Sequence, residues 1–393
     1  MRDTYIYQNH KIRRAGHFRV LKHKKLDGIH QNYLIQTPNG ENAYLKVAEG
    51  CRDYGEVVVK AICDRVGIPC AKCKLVSMQN FPQGNKLNFE TFSLKYHGQY
   101  GKQPHGKLIK MYKEYETYFQ SKLSTQHGVI SYDFQSDEKF KDAKVFSLKM
   151  LTEVQKETYG AEVEKSIHGY MGAIKSFVFE PSYEMRLVRR NLGVKSVCSL
   201  ESKMENDFIK IALLGYMTAQ TDDTDDNICL AVIDGWVCLA PLFDNGACFG
   251  LGDLSLSEQN PDIDAIADSV KDIPNALWVK KHKQANSIAT QRCDLVKAIL
   301  GNTEILDFYN QLRNVDFEEI FAQIDKGEDG FENVKQLIQK VFVARRTELE
   351  NEITRQIRLQ QAYGMEPNEK CIKFQEEKLK DLSVQDDEAE AGD

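Results

Sequence analysis

Residues 221–227 read Thr-Asp-Asp-Thr-Asp-Asp-Asn, four aspartates and an asparagine in seven positions. That much like charge repels itself. It must be offset by a cation, hydrated in a polar turn, or used in chemistry that needs carboxylates. A calcium loop does not fit, because the turn glycine and the distal bidentate glutamate are missing. Downstream, an apolar run ends abruptly on Asp244 in Leu-Phe-Asp-Asn-Gly, 242–246. Between these stretches lies NICLAVIDGWVCLAPLFDNG. Its Asp234-Gly235 is a two-residue turn of the kind that right-twisted strands prefer. Arms of similar length folded there carry Asp244 back toward Asn227. Asp222, Asn227 and Asp244 are therefore expected to converge on one sheet edge.

Oxygen donors from an Asp and an Asn suit a Mg²⁺ ion that also holds phosphates. A separate carboxylate can accept the proton of an attacking hydroxyl. Phosphoryl transfer uses these parts in order: an Asp, an Asn five positions later, a strand pair, then Asp-x-Gly. Asp222 and Asn227 have that spacing, and Asp244-Asn245-Gly246 follows the hairpin. The same chemistry wants a lysine in mid-strand and a glutamate on the next helix. Lys46 in AYLKV and Glu56 in YGEVVVKAICDRVGIP answer that description. Their structural alternatives are an edge-strand lysine that discourages aggregation and a charge that favours a helix N-terminus. Gly28, in LDGIHQNYLI, marks a candidate phosphate loop. Asp223, Asp225 and Asp226 read as solvated turn residues.

The elements that must position these groups follow from pattern. GHFRVLKHKK, HQNYLIQTP and ENAYLKVAE read as strands, with PNGEN a turn between the last two. Val58, Ala61, Ile62 and Val66 share a helical face that Gly67 and Pro69 end. CKLVSM, NFETFSLKY and HGVISYDF read as further strands. KVFSLKMLTEVQKETYG, EVEKSIHGYMGAIKSFVF, NDFIKIALLGYMTAQ and FENVKQLIQKVFVARRTELENEITRQIRLQQA have helical periodicity. The expected class is α+β: a β-rich part over residues 1–135, a mainly helical part over 136–375, and an acidic, disordered tail over 376–393.

Bulk numbers narrow the function classes. At 393 residues the chain is long enough for two or three cores or one two-lobed domain. A net charge of −6 argues against direct nucleic-acid binding by electrostatics. No apolar stretch suits a secretory leader or a membrane span, so a cytoplasmic protein is expected. The ten cysteines then read as reduced thiols. Cys70 and Cys73 form a C-x-x-C, but it lacks the second pair a zinc site needs and lies in a strand-like run.

Together the motifs resemble those of the HipA-like serine/threonine kinases, the toxin kinases of bacterial toxin–antitoxin modules and their stand-alone relatives. The resemblance rests on NYLIQTPNGENAYLKV, GEVVVKAICDRVGIPCAKCKLV, GVISYDF and, most specifically, LLGYMTAQTDDTDDNICL with WVCLAPLFDNG. It implies a two-lobed protein-kinase-like fold, ATP with Mg²⁺, and phosphorylation of a protein serine or threonine, with an antitoxin or regulatory protein as a further partner. It makes Asp222 the catalytic base and Asn227 and Asp244 the metal ligands. It makes Lys46, held by Glu56, the α/β-phosphate contact, and it runs the strand through Ile130 and Ser131 into the hinge near the adenine. Two departures stand out. Where the family usually has a His two residues after the catalytic Asp, this chain has Thr224, preceded by Asp223. An imidazole replaced by a hydroxyl, beside an added carboxylate, opposes phosphate binding unless metal neutralises it. The implied alternative is a kinase-shaped module that holds nucleotide or a partner without turnover. The strands also begin almost at once, so the extra N-terminal domain of many toxin kinases is expected to be absent or encoded elsewhere.

Overall fold

A computed structural model of the chain describes residues 5–8, 11–14, 19–22, 31–36, 42–47, 50–77, 106, 109, 111–113, 127–194, 198–222, 225–254, 260–275, 277–280, 287–324 and 330–364. A hairpin of β1 (Tyr5–Gln8) and β2 (Lys11–Arg14) comes first. It was not among the expected strands. Then β3 (Arg19–Lys22), β4 (Gln31–Gln36), β5 (Asn42–Val47), β6 (Cys73–Ser77) and β7 (His127–Tyr132) form an antiparallel sheet in the order β3-β4-β5-β7-β6. The strands expected in GHFRVLKHKK, HQNYLIQTP, ENAYLKVAE, CKLVSM and HGVISYDF are all present. NFETFSLKY lies outside the described residues, as do Gly28 and the acidic tail.

Helix α1 (Arg52–Val66) packs on this sheet. Val58, Val59, Ile62, Cys63 and Val66 line its buried face. Gly67, at φ 75°, ends it in the left-handed conformation. The Ile68 N–H closes the end by donating to Cys63 O at 3.0 Å. α1 is also the bridge to the helical part. Its apolar residues belong to one continuous core with residues such as Phe208, Leu306, Phe331 and Leu337. The Tyr54 ring meets Phe331 at 5.1 Å between centroids.

A second sheet has the order β8 (Lys144–Ser147), β10 (Cys229–Ile233), β11 (Trp236–Leu239), β9 (Ser199–Leu200). The expected helix over KVFSLKMLTEVQKETYG is therefore corrected at its start. Lys144–Ser147 pairs with β10, and α2 (Leu148–Tyr159) begins only after it, where Ser147 Oγ accepts the Met150 N–H at 3.2 Å. The next expected helix is also trimmed. α3 covers Ile167–Phe179, capped by Ser166. α4 (Tyr183–Asn191) and α5 (Met204–Met217) follow, and then α6 (Ile263–Lys271), α7 (Ile288–Gly301), α8 (Thr303–Arg313), α9 (Phe317–Ile324) and α10 (Phe331–Ala362). The chain is thus an α+β protein, sheet-rich at its N-terminal side and mainly helical at its C-terminal side. No described helix is long and apolar enough to cross a membrane.

Candidate active site

Lys46 sits on β5, flanked by β4 on one side and β7 on the other. It is not an edge lysine. Ala43 and Leu45 point into the core and are fully buried, while Lys46 faces the other way with its side chain 14% exposed. Such a charge needs partners. Lys46 Nζ donates to Glu56 Oε1 at 2.7 Å and to Asp244 Oδ1 at 2.9 Å. Residues 198 positions apart thus meet at one ammonium group. Burial opposes its charge, but Glu56 and Asp244 outweigh burial and hold its pKa above the ordinary value.

Glu56 projects from the first turns of α1 and is buried. Its Oε2 accepts the backbone N–H of Asn245 at 3.1 Å. One carboxylate therefore ties the lysine to the Asp-Asn-Gly segment. Burial raises the pKa of this carboxyl, and Lys46 only partly counters it. The loop comes this close because position 246 is glycine. A Cβ there would stand 3.1 Å from Arg52 O and 3.6 Å from Glu56 Cγ.

Asp244 adopts φ 61°, a left-handed conformation that Asp tolerates better than most residues. The strand-like residues before it are pinned beside the start of β6. Leu242 N–H donates to Pro69 O at 2.9 Å, and Ala71 N–H donates to Leu242 O at 2.8 Å.

The hairpin folds at Asp234 and Gly235, both at positive φ, with Leu230 opposite Leu239. A second backbone tie sets Asp222 beside the Asp244 segment. Thr221 N–H donates to Ala247 O at 3.0 Å, and Phe249 N–H to Thr218 O at 2.7 Å. Asp222 follows this pairing directly and is exposed. Asn227 Nδ2 donates to Asp222 O at 2.6 Å and closes the acidic turn.

The expectation that Asp225 and Asp226 are solvated is corrected for Asp225. It is buried, and its carboxylate lies 3.3 Å from Lys165 Nζ. Asp226 pairs with Lys149 Nζ at 2.9 Å, and the Lys149 N–H donates to Asp225 O at 2.9 Å. These lysines lie 60 and 77 positions from their partners. No local pattern announces them. Asp223 and Thr224 lie outside the described residues.

Ile130 and Ser131 are buried inside the first sheet. Ile130 pairs with Leu45 and Lys74, and Ser131 with Tyr44 and Cys73. Their main chain is committed to ladders on both sides. Beyond β7, the Asp133 side chain accepts the Gln135 N–H, and Phe134 stacks on Phe243 at 6.3 Å, one residue before Asp244. Burial holds the Cys73 thiol well above its ordinary pKa, and its Sγ donates to Glu56 O at 3.4 Å. Among the described residues, no three His, Cys, Asp or Glu side chains cluster in a way that could hold a metal ion.

No family model and no curated protein matches this chain. Among solved structures it is similar to the Helicobacter pylori proinflammatory kinase CtkA. The identity is 14% and the TM-score 0.49, with 84% of this chain and 94% of that chain covered. A likeness of that size assigns no residue.

Proposed function

We propose that this chain is an ATP- and Mg²⁺-dependent kinase of the HipA-like kind that phosphorylates a serine or threonine of a protein. The observation that carries the reading is the network in which Lys46 joins Glu56 and Asp244 while Glu56 holds Asn245. A half-buried lysine between a helix glutamate and an Asp-x-Gly aspartate is the arrangement that phosphoryl transfer needs for triphosphate positioning.

The donor set suits Mg²⁺. Asp244 offers a carboxylate and is 44% exposed. Asn227 donates through Nδ2 to Asp222 O, and its amide oxygen would be the atom that holds the cation. Two hard oxygen ligands are enough for an ion that keeps most of its water and binds phosphates. When bound, Mg²⁺ offsets the charge of the triphosphate and of its leaving group.

This chain's own residues do the rest. Lys46 holds the α- and β-phosphates. Asp222, exposed at the mouth of the turn, accepts the proton of the incoming hydroxyl. As that oxygen bonds to the γ-phosphorus, the bond to the ADP oxygen breaks and ADP leaves. Catalysis is then mainly alignment and electrostatics. An antitoxin or regulatory protein as partner belongs to the same proposal.

Thr224, in place of the family's His, favours a second reading, a nucleotide-holding module without turnover. Incubation with γ-labelled ATP and Mg²⁺ separates the two. Label should reach the native chain or an added protein, and Asp222→Ala should lower the rate by about 10²–10⁴-fold. Nucleotide binding without transfer supports the module. Neither binding nor transfer removes both readings.

A further inference from the structure

Gln220 follows α5 and stands two residues before Asp222. Its backbone is satisfied, with the N–H donating to Gly215 O at 2.9 Å. The residue is 3% exposed, and its Oε1 has no hydrogen-bond partner. An amide oxygen left without a hydrogen bond in the interior loses its hydration and gains nothing in return.

Gln220 lines a cavity of about 10 Å³, walled also by Val59, Leu214, Thr218, Leu242 and Asn245. That volume admits about one water. The lining is mainly apolar, with Ile211 and Gly215 completing it, but three polar side chains, Gln220, Thr218 and Asn245, stand in it. Thr218 Oγ1 donates to Leu214 O at 2.9 Å and retains lone pairs. The Asn245 amide makes a 3.6 Å contact to the Cys70 sulfur, a weak acceptor, so hydrogen-bonding capacity remains. Three polar groups around one water is the usual number.

We propose that this cavity binds one ordered water, and that Gln220 is a positioning residue acting through it. The water donates to Gln220 Oε1 and bonds the side-chain amide of Asn245. It thereby ties the segment carrying Asp222 to the segment carrying Asp244, behind the Thr221–Ala247 backbone pair. Because the Asn245 N–H is held by Glu56, the water backs the whole Lys46–Glu56–Asp244 network. The catalytic consequence rests on the phosphoryl-transfer reading, whereas the water site does not.

A high-resolution crystal structure of the full chain, with amide hydrogen exchange on the native protein, Gln220→Leu and Gln220→Glu, tests this. In the native protein one water should stand about 2.7–3.2 Å from Gln220 Oε1. Gln220→Leu should lose it, and the Thr221 and Asn245 amides should exchange at least about tenfold faster. Gln220→Glu keeps an acceptor oxygen and should restore both the water and the protection. A dry cavity, a Gln220 amide turned to a protein partner, unchanged exchange in Gln220→Leu, or no rescue in Gln220→Glu overturns the proposal. If Gln220→Leu does not fold, water and protection in Gln220→Glu decide alone. Where the native chain transfers phosphate, Gln220→Leu should lower kcat by about 10–100-fold with the KM for ATP nearly unchanged. A native chain without transfer sinks the kinase reading and leaves the water and exchange results standing.

Discussion

At the scale of single residues, the site is a contest between burial and pairing. Glu56 binds its proton more tightly folded than unfolded, because burial raises its pKa above the ordinary 4.5. Its contribution to stability therefore falls as pH rises from 4.5 through the folded value. Lys46 contributes in the opposite sense. Its stabilisation is complete below 10.5 and is lost only as pH climbs through its raised folded pKa. The melting temperature of the native chain minus that of Glu56→Gln should thus decline as pH rises above 4.5, then level off. A flat difference in thermal melts over that range would count against a perturbed Glu56. Asp244 allows charge and backbone to be separated. At φ 61° an Asn is tolerated, whereas Ala meets a left-handed strain of about 1–2 kcal/mol. Asp244→Ala should melt lower than Asp244→Asn, and under the proposed kinase function both should lack the Mg²⁺-dependent nucleotide binding that calorimetry would detect for the native chain.

At the scale of elements, helix α1 approaches the Asp244 loop closely at one glycine. Gly55 lies against the Asp244 loop. An added Cβ would stand 2.7 Å from Cys248 Sγ and 3.2 Å from Gly246 O. The roughly 1 kcal/mol that alanine gains over glycine in a helix is then opposed by about 1–3 kcal/mol of overpacking. Gly172 in α3 is a control, since a Cβ added there would meet nothing within 4 Å. Denaturant melts should show Gly172→Ala neutral or stabilised by up to about 1 kcal/mol and Gly55→Ala destabilised. Equal effects would mean that α1 can slide away from the loop without cost.

At the scale of the whole molecule, the sheet-rich and helical parts share one core through α1. Ile62 is fully buried in that shared region. Ile62→Ala should cost about 2–5 kcal/mol. Far-ultraviolet circular dichroism and tryptophan fluorescence should still lose signal in one coincident transition. Two separated transitions would show that the parts fold independently.

Local chemistry was legible in the chain. Asp-Gly at 234–235 makes the hairpin turn, Gly67 ends α1, and period-2 runs mark the strands of the first sheet. Each depends on φ preference or on side-chain alternation within a few residues. The order of Lys46, Glu56, Asp222, Asn227 and Asp244 was also readable from the chain alone. Other features came only with the tertiary structure. Lys144–Ser147 became a strand because β10 offered a partner, and Asp225 was buried because Lys165 arrived from elsewhere. Lys46 proved interior to its sheet, and Glu56 reached across to Asn245. Charge pairing depends on distance in space, and groups tens to hundreds of residues apart leave no periodic trace in sequence.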